Sequence, residues 1–217
     1  MSHDFWSPIR LSIEIASISV FIVILFGTLI ARWMAIKNFK GKLLLENLLL
    51  LPLVLPPTVV GFLLIVLFGK NGVIGKWIDL LFHQSIMFTM AAAVIASTVV
   101  AFPLMYQSAK TGFLSVDRGI EEAARMDGAS EWKLFVYISL PLAGKALIAG
   151  GILSFARALG EFGATLMFAG NLPGKTQTIP TAIYVALESG EMNLAWLWAI
   201  SMVGISFLML LLTSRIK

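Results

Sequence analysis

Residues 121–141 have the sequence EEAARMDGASEWKLFVYISLP and form the only long polar interruption between two hydrophobic halves of the chain. This segment predicts two short helices joined by a hinge. The first is expected over about 117–127, and it ends before Gly128 because glycine enters the left-handed conformation without a steric penalty. Ser130 is expected to cap the second helix. Pro141 is expected to end that helix and bend the chain.

A pair of short helices at a membrane surface has two interpretations. The pair can lie in the lipid headgroups, as many interfacial helices do. Alternatively, it docks in a groove of a soluble partner, because its small residues allow close approach. Composition alone favours the first interpretation, whereas the residue spacing described below favours the second.

The composition predicts a membrane protein with several spans. Of the 217 residues, 59% are hydrophobic, and the mean hydropathy of +0.91 is too high for a soluble domain. The net charge of +4 is better explained by loop residues that set orientation than by nucleic-acid binding. The chain has no cysteine, which excludes a disulfide framework and a thiolate metal site. We interpret the first apolar run as a retained membrane helix and not as a cleaved signal.

We therefore predict an all-α membrane protein with about five transmembrane helices in a single domain over 1–217. Each apolar run is long enough for a bilayer, which needs about 20 residues. Three prolines in LPLVLPPTVVG (51–61) must kink or break the second span. Short helices are expected in 70–85 and 181–188, outside the spans. The predicted spans are 8–35, 46–68, 86–107, 142–169 and 194–212.

The distribution of Lys and Arg predicts the orientation. If the loop over 117–141 is cytoplasmic, five spans place the N-terminus outside and the C-terminus in the cytoplasm. Eleven cations then lie on the inner side and four on the outer side, as the positive-inside rule requires. The inner ones are Arg32, Lys37, Lys40, Lys42, Lys110, Arg118, Arg125, Lys133, Lys145, Arg215 and Lys217, and the outer ones are Arg10, Lys70, Lys76 and Lys175.

The fourth span contains two opposite charges in an apolar segment. FARALGEFGAT (155–165) places Arg157 and Glu161 four residues apart, on one face of the predicted helix. Charges at that depth are costly unless they are paired or hydrated, so they are functional candidates. Two roles stay open. The favoured one is a buried ion pair that fixes the helix in the bundle; the other is a positive potential from Arg157 along an anion route.

Motifs of the common enzymes are absent from the sequence. It has no GxxxxGK[ST] loop, so it gives no sign that this chain hydrolyses ATP. It has no HExxH or GxSxG motif and no Asp in the middle of a span. The sequence thus gives little support to an enzyme embedded in the membrane, and it predicts no metal site.

The spacing within the polar loop resembles the EAA loop of ABC-importer permeases. Glu122, Ala123 and Ala124 are followed after three residues by Gly128, and after nine more by Ile-x-Leu-Pro over 138–141. The resemblance extends to the membrane subunit of molybdate importers, and of the very similar tungstate importers, through LPLVLPPTVVGF (51–62) and FARALGEFGATLMFAGNLPGKTQTIPTAIY (155–184). Sulfate permeases share these patterns more loosely.

The resemblance implies a type I permease fold, a prokaryotic cell-membrane location and several partners. The partners are a second copy of the chain, a cytoplasmic dimer of ATPases that binds ATP and Mg²⁺, and an external oxyanion-binding protein. No cofactor is expected in the chain itself. The residues implied to dock with the ATPase are Glu122, Ala123, Ala124 and Gly128.

The implied mechanism is alternating access, which moves an oxyanion from the binding protein to the cytoplasm. Hydroxyl groups in the spans could donate hydrogen bonds to it, although a bond back to its own helix is the more ordinary role for each one. An alternative is a sulfate or thiosulfate permease. A secondary transporter driven by an ion gradient is a further alternative, but it needs titratable groups in the spans. The pathway candidates are Thr58, Ser97, Thr98, Ser154, Arg157, Glu161 and Thr165.

Overall fold

The computed structural model describes residues 5–214, with side chains described as far as Leu211. Over these residues it contains helices and turns without a strand, which confirms the predicted all-α fold. Two of the cations assigned above to the inner side, Arg215 and Lys217, lie outside the described residues.

Twelve α-helices follow one another in the described part of the chain. They are α1 (Trp6–Ile36), α2 (Lys42–Val54), α3 (Pro57–Phe68), α4 (Val73–Phe82), α5 (Met90–Leu114), α6 (Arg118–Met126), α7 (Glu131–Leu134), α8 (Leu140–Leu142), α9 (Gly144–Leu159), α10 (Gly163–Ala169), α11 (Ile179–Glu188) and α12 (Met192–Ser214). A π-helical turn, Phe135–Ser139, joins α7 to α8.

Helices α1, α5 and α9 form the centre of the bundle. Small residues allow their backbones to approach closely. A Cβ atom on Gly150 of α9 would lie 2.7 Å from the Cβ of Ser108 in α5. The hydroxyl of Ser19 in α1 donates to the carbonyl of Val94 in α5 at 3.1 Å. Helices α1, α5 and α12 are each long and apolar enough to cross a membrane.

The second predicted span, 46–68, is not one straight helix. Helices α2 and α3 meet at an angle of 118°. The break lies at Pro56 and Pro57, whereas Pro52 is accommodated inside α2. Pro57 is the first residue of α3, a position whose N–H has no partner within the helix in any case. The prolines therefore break the segment, as predicted, and α2 and α3 form either one broken span or a re-entrant loop.

The fourth predicted span, 142–169, does not form the continuous helix that was expected. Helix α9 ends at Leu159, and α10 begins at Gly163. At its other end, α9 follows the α7–α8 segment with a bend of 72°. The described residues thus hold three continuous spans, or five if each bent pair of helices is counted as one.

Candidate functional site

The polar loop begins with α6, whose bounds lie close to the predicted 117–127. The carboxylate of Asp117 accepts a hydrogen bond from the N–H of Gly119 at 2.7 Å, which caps the helix. At the other end Gly128 has φ +85°. The N–H groups of Gly128 and Ala129 donate to the carbonyls of Arg125 and Ala124, each at 3.0 Å, which is the Schellman arrangement. The hinge predicted at Gly128 is therefore a tight, fully bonded turn.

The second half of the loop differs from the single helix that was predicted. Ser130 caps it, with its hydroxyl accepting from the N–H of Lys133 at 3.4 Å. The regular helix ends at Leu134, and a π-helical turn follows, in which the N–H of Leu140 donates to the carbonyl of Phe135. A π turn adds a residue, so Leu134 and Ser139 are both buried although they lie five residues apart.

The predicted docking residues lie on the surface of the loop. Glu122, Ala123 and Gly128 are exposed, and Ala124 is half-buried. A Cβ atom on Gly128 would meet nothing within 4 Å. Met126 is 85% exposed, which is unusual for an apolar side chain. The loop thus offers small and apolar groups to a partner.

The neighbouring Glu121 is not free at the surface, because its carboxylate accepts hydrogen bonds from two other elements. Its Oε1 accepts from Nη1 of Arg32 at 2.8 Å and from the hydroxyl of Ser139 at 2.7 Å. Burial acts to raise the pKa of Glu121, but these two hydrogen bonds and the charges of Arg32 and Arg125 outweigh it and lower the pKa. Glu121 is therefore ionised at neutral pH. The stability it contributes is present above its ordinary pKa and is lost as the pH falls through the folded-state value.

A cleft of about 420 Å³ lies beside this network. It is lined by side chains from the end of α1, the end of α5 and helix α6, including Arg32, Phe113, Arg118 and Glu122. The guanidinium carbon of Arg32 lies 5.7 Å from the ring centroid of Phe113, within range of a cation–π contact. Three helices therefore meet around one buried arginine.

Sequence reasoning did not identify Arg32, Glu121 and Ser139 as a functional group. It counted Arg32 as a loop cation only and stopped at the neighbouring Glu122. Arg32 and Glu121 are 89 residues apart, so no local spacing signals their contact. A weak signal was present in Arg32 itself, because it directly follows an uncharged run that is long enough to span a membrane.

The two helix breaks lie next to each other. A Cβ atom on Gly163, the first residue of α10, would lie 3.0 Å from the Cβ of Pro57, the first residue of α3. The pathway candidate Thr58, the second residue of α3, is exposed. The starts of two short helices therefore share one region of the bundle, a feature of membrane transport sites in which irregular backbone faces a cavity.

Arg157 and Glu161 form an ion pair, but they do not share a helical face. Their nearest atoms, Nη1 and Oε2, are 2.6 Å apart. Glu161 lies after the end of α9, and its Oε1 accepts from the N–H of Ala164 at 2.8 Å. Its side chain is 1% exposed, against 30% for Arg157. The predicted ion pair is present. It joins the end of α9 to the start of α10 and does not lie along one continuous helix.

The remaining pathway candidates are distributed over the contacts of α5 with α9 and α10. The hydroxyl of Ser154 in α9 donates to the carbonyl of Ala101 in α5 at 3.3 Å, so it joins two helices and does not bond back to its own. The hydroxyl oxygens of Thr98 and Thr165 are buried without a hydrogen-bond partner. Ser97 is 1% exposed. Two of the pathway candidates, Thr98 and Thr165, thus have hydroxyls whose hydrogen-bonding capacity is unused.

Over the described residues, no group of three or more His, Asp or Glu side chains is placed to hold a metal ion. The arrangement offers hydrogen-bond donors, ion pairs and hinges, which suit conduction and motion.

Comparison with known proteins identifies the family. The family of binding-protein-dependent transport system inner membrane components matches residues 23–216. A Bacillus subtilis (strain 168) protein, YvgM, which is named as a candidate molybdenum transport system permease, is 59% identical over 216 residues, covering 100% of this chain and 95% of that protein. The molybdenum transport system permease protein ModB of Escherichia coli (strain K12) is 43% identical over 199 residues, covering 90% of this chain and 86% of ModB.

A more distant relative and a solved structure extend this result. The sulfate transport system permease protein CysW of Synechococcus elongatus is 32% identical over 212 residues, covering 96% of this chain and 73% of CysW. A chain in the crystal structure of a bacterial alginate ABC transporter, in complex with an alginate pentasaccharide-bound periplasmic protein, gives a TM-score of 0.80. That match covers 99% of this chain and 78% of the other at 15% identity, which concerns the fold alone. By these matches the chain belongs to the family of inner membrane components of binding-protein-dependent transport systems, as the motif spacing predicted.

Proposed function

We propose that this chain is the membrane-spanning subunit of an ATP-driven importer for a tetrahedral oxyanion, molybdate or tungstate. One observation carries the choice of oxyanion: the relatives named for molybdenum transport match the chain at 59% and 43% identity, against 32% for the sulfate permease. The whole chain acts as one permease domain, with its N-terminus outside the cell and its C-terminus in the cytoplasm.

The subunit works with three kinds of partner. A second copy of the chain completes the pathway, an external binding protein delivers the oxyanion, and two cytoplasmic ATPases bind ATP and Mg²⁺. The chain itself needs no cofactor. The exposure of Glu122, Ala123 and Gly128 supports a docking role for α6, because a partner can reach these residues without any rearrangement of the loop.

Transport proceeds by alternating access. Closure of the ATPases moves the docked loop, and the spans rock so that the cavity opens outward. The breaks between α2 and α3 and between α9 and α10 are suitable places for bending, because their backbones are already irregular. The hydroxyls that are candidates to receive the oxyanion are those of Thr58, Ser97, Thr98, Ser154 and Thr165, with Arg157 and Glu161 beside them.

Transport is tested in proteoliposomes that contain this chain, its partner ATPase and the external binding protein. We expect uptake of labelled molybdate and tungstate only with ATP inside the vesicles, and little uptake of sulfate. If sulfate were taken up in preference to molybdate and tungstate, the chain would be a sulfate permease. Uptake driven by an ion gradient without the ATPase would show a secondary transporter.

Docking is tested separately by cross-linking. Because the chain has no cysteine, a single Ala123→Cys variant can carry a photo-activated cross-linker without background. We expect it to label the ATPase subunit. The matched control is Lys175→Cys, an exposed position in the loop assigned to the outside, which should leave the ATPase unlabelled. Labelling of lipid alone by the Ala123→Cys variant would contradict docking and favour the interfacial interpretation.

A further inference from the structure

Helix α6 is attached to the rest of the molecule in an unusual way. None of its residues is buried, so it has no hydrophobic anchor of its own. Its most enclosed polar attachment is the partly buried carboxylate of Glu121, whose side chain is 12% exposed. Arg125 pairs with Glu131 of α7 at 2.7 Å on the surface, whereas Glu121 is the side chain that bonds α6 to α1 and to the π turn.

Glu121 joins α6 to two elements that are distant in sequence. Arg32 lies in the last turns of α1, and Ser139 closes the π turn just before the bend that leads into α9. Both donate to the same oxygen, Oε1, at 2.8 Å and 2.7 Å. A shift of α6 must either carry both elements along or break both bonds.

Packing holds both donors, Arg32 and Ser139, in place, so neither can move freely with the carboxylate of Glu121. Arg32 is 8% exposed and is packed against the ring of Phe113 at the end of α5. Ser139 is fully buried, and its hydroxyl also lies 3.4 Å from the carbonyl of Leu134 in α7. Breaking the Arg32–Glu121 pair would leave the buried guanidinium of Arg32 without its carboxylate partner, which is strongly unfavourable. The linkage is therefore stiff and transmits displacement well.

We propose that Arg32, Glu121 and Ser139 form a mechanical linkage that carries movement of α6 to α1 and to the segment that enters α9. They are positioning residues for the coupling of ATP hydrolysis to transport. This inference rests on the proposed function, and it adds three residues that lie outside the exposed docking surface. Docking at Glu122, Ala123, Ala124 and Gly128 supplies the force, and the linkage delivers it to the spans.

The test uses the complete complex of permease, ATPase and loaded binding protein in proteoliposomes. Two quantities are measured, the number of oxyanions transported per ATP hydrolysed and the factor by which the loaded binding protein stimulates ATP hydrolysis. For Glu121→Ala we expect the first quantity to fall at least tenfold and the stimulation to approach one, while basal hydrolysis continues.

Two matched controls separate a linkage from ordinary loss of packing. Glu46→Ala breaks the partly buried ion pair of Glu46 with Lys110, which joins α2 to α5 and does not involve α6. Ser19→Ala removes a buried hydroxyl bond between α1 and α5, as a control for Ser139→Ala. We expect Ser139→Ala to lower transport per ATP about threefold and both controls to stay within twofold of the unaltered chain.

The outcomes are distinguishable. A complex with the unaltered chain that does not transport molybdate or tungstate would overturn the proposed function. With transport intact, the linkage is refuted if Glu121→Ala and Ser139→Ala keep the unaltered ratio, or if each falls no further than its control. If Glu121→Ala fails to assemble, the comparison of Ser139→Ala with Ser19→Ala decides alone.

Discussion

Two ion pairs with similar geometry have different tasks in this molecule. Arg157 and Glu161 are four residues apart, and their pair at 2.6 Å fixes a break between two helices of the bundle. Arg32 and Glu121 are 89 residues apart, and their pair at 2.8 Å ties a surface helix to a membrane span. The first pair shapes a local turn of the backbone, whereas the second joins separate elements. An ion pair therefore acquires its role from the elements that it connects.

The largest loss of stability is expected from breaking the local pair of Arg157 and Glu161. Glu161→Ala leaves the guanidinium of Arg157 without its partner and the N–H of Ala164 without its cap. We expect a loss of about 3 kcal/mol in the free energy of unfolding, at the lower end of the range for a buried pair because Arg157 is partly exposed. Unfolding of the purified protein in mixed micelles, by titration with a denaturing detergent, measures it.

The control for Glu161→Ala is Glu14→Ala, which breaks the exposed pair of Arg10 and Glu14 in α1. It should cost less than about 1 kcal/mol. Equal losses for the two variants would mean that the pair at the helix break is no more important than a surface pair, and the comparison above would fail.

The two pairs also differ in how far they could be predicted. The sequence indicates Arg157 and Glu161 because charges four residues apart stand out in an apolar segment. It does not reveal that α9 ends at Leu159, just before Glu161, since 155–169 contains no proline and its glycines are equally compatible with close helix packing. At this break the carboxylate of Glu161 accepts from the N–H of Ala164, a contact that only the folded backbone shows.

Local signals were reliable in the loop as well. Asp117, Gly128 and Ser130 lie near the helix ends where capping chemistry places them, and each acts within a few residues. The π turn over 135–139 was not predictable, because no residue type specifies it and it depends on burying Leu134 and Ser139 together. The Arg32–Glu121 contact was not predictable because the intervening chain must first fold.

A second prediction asks whether packing alone positions the helix break. A Cβ atom on Gly61 of α3 would lie 2.7 Å from the Cβ of Met167 and 3.0 Å from the Cα of Ala164, both in α10. Gly61→Ala should therefore push α3 away from α10 and cost about 2 kcal/mol. The unfolding titration in mixed micelles measures this loss.

The control for Gly61→Ala is Gly204→Ala in α12, where an added Cβ meets nothing within 4 Å. It should change the free energy of unfolding by less than about 0.5 kcal/mol. If Gly61→Ala is equally harmless, the contact of α3 with α10 is loose, and the ion pair of Glu161 alone defines the break.

The smallest loss of stability is expected in the polar loop that the Arg32–Glu121 pair holds. Gly128→Ala places a Cβ on a residue with φ +85°, although the space around it is open. The backbone strain should cost about 1 kcal/mol, because the Arg32–Glu121 pair still holds α6 in place. The control is Gly144→Ala, which has equally open space and is absent from the positive-φ positions, and which should be neutral within about 0.5 kcal/mol. A loss from Gly128→Ala as large as that from Glu161→Ala would mean that the turn, and not the ion pair, holds the loop.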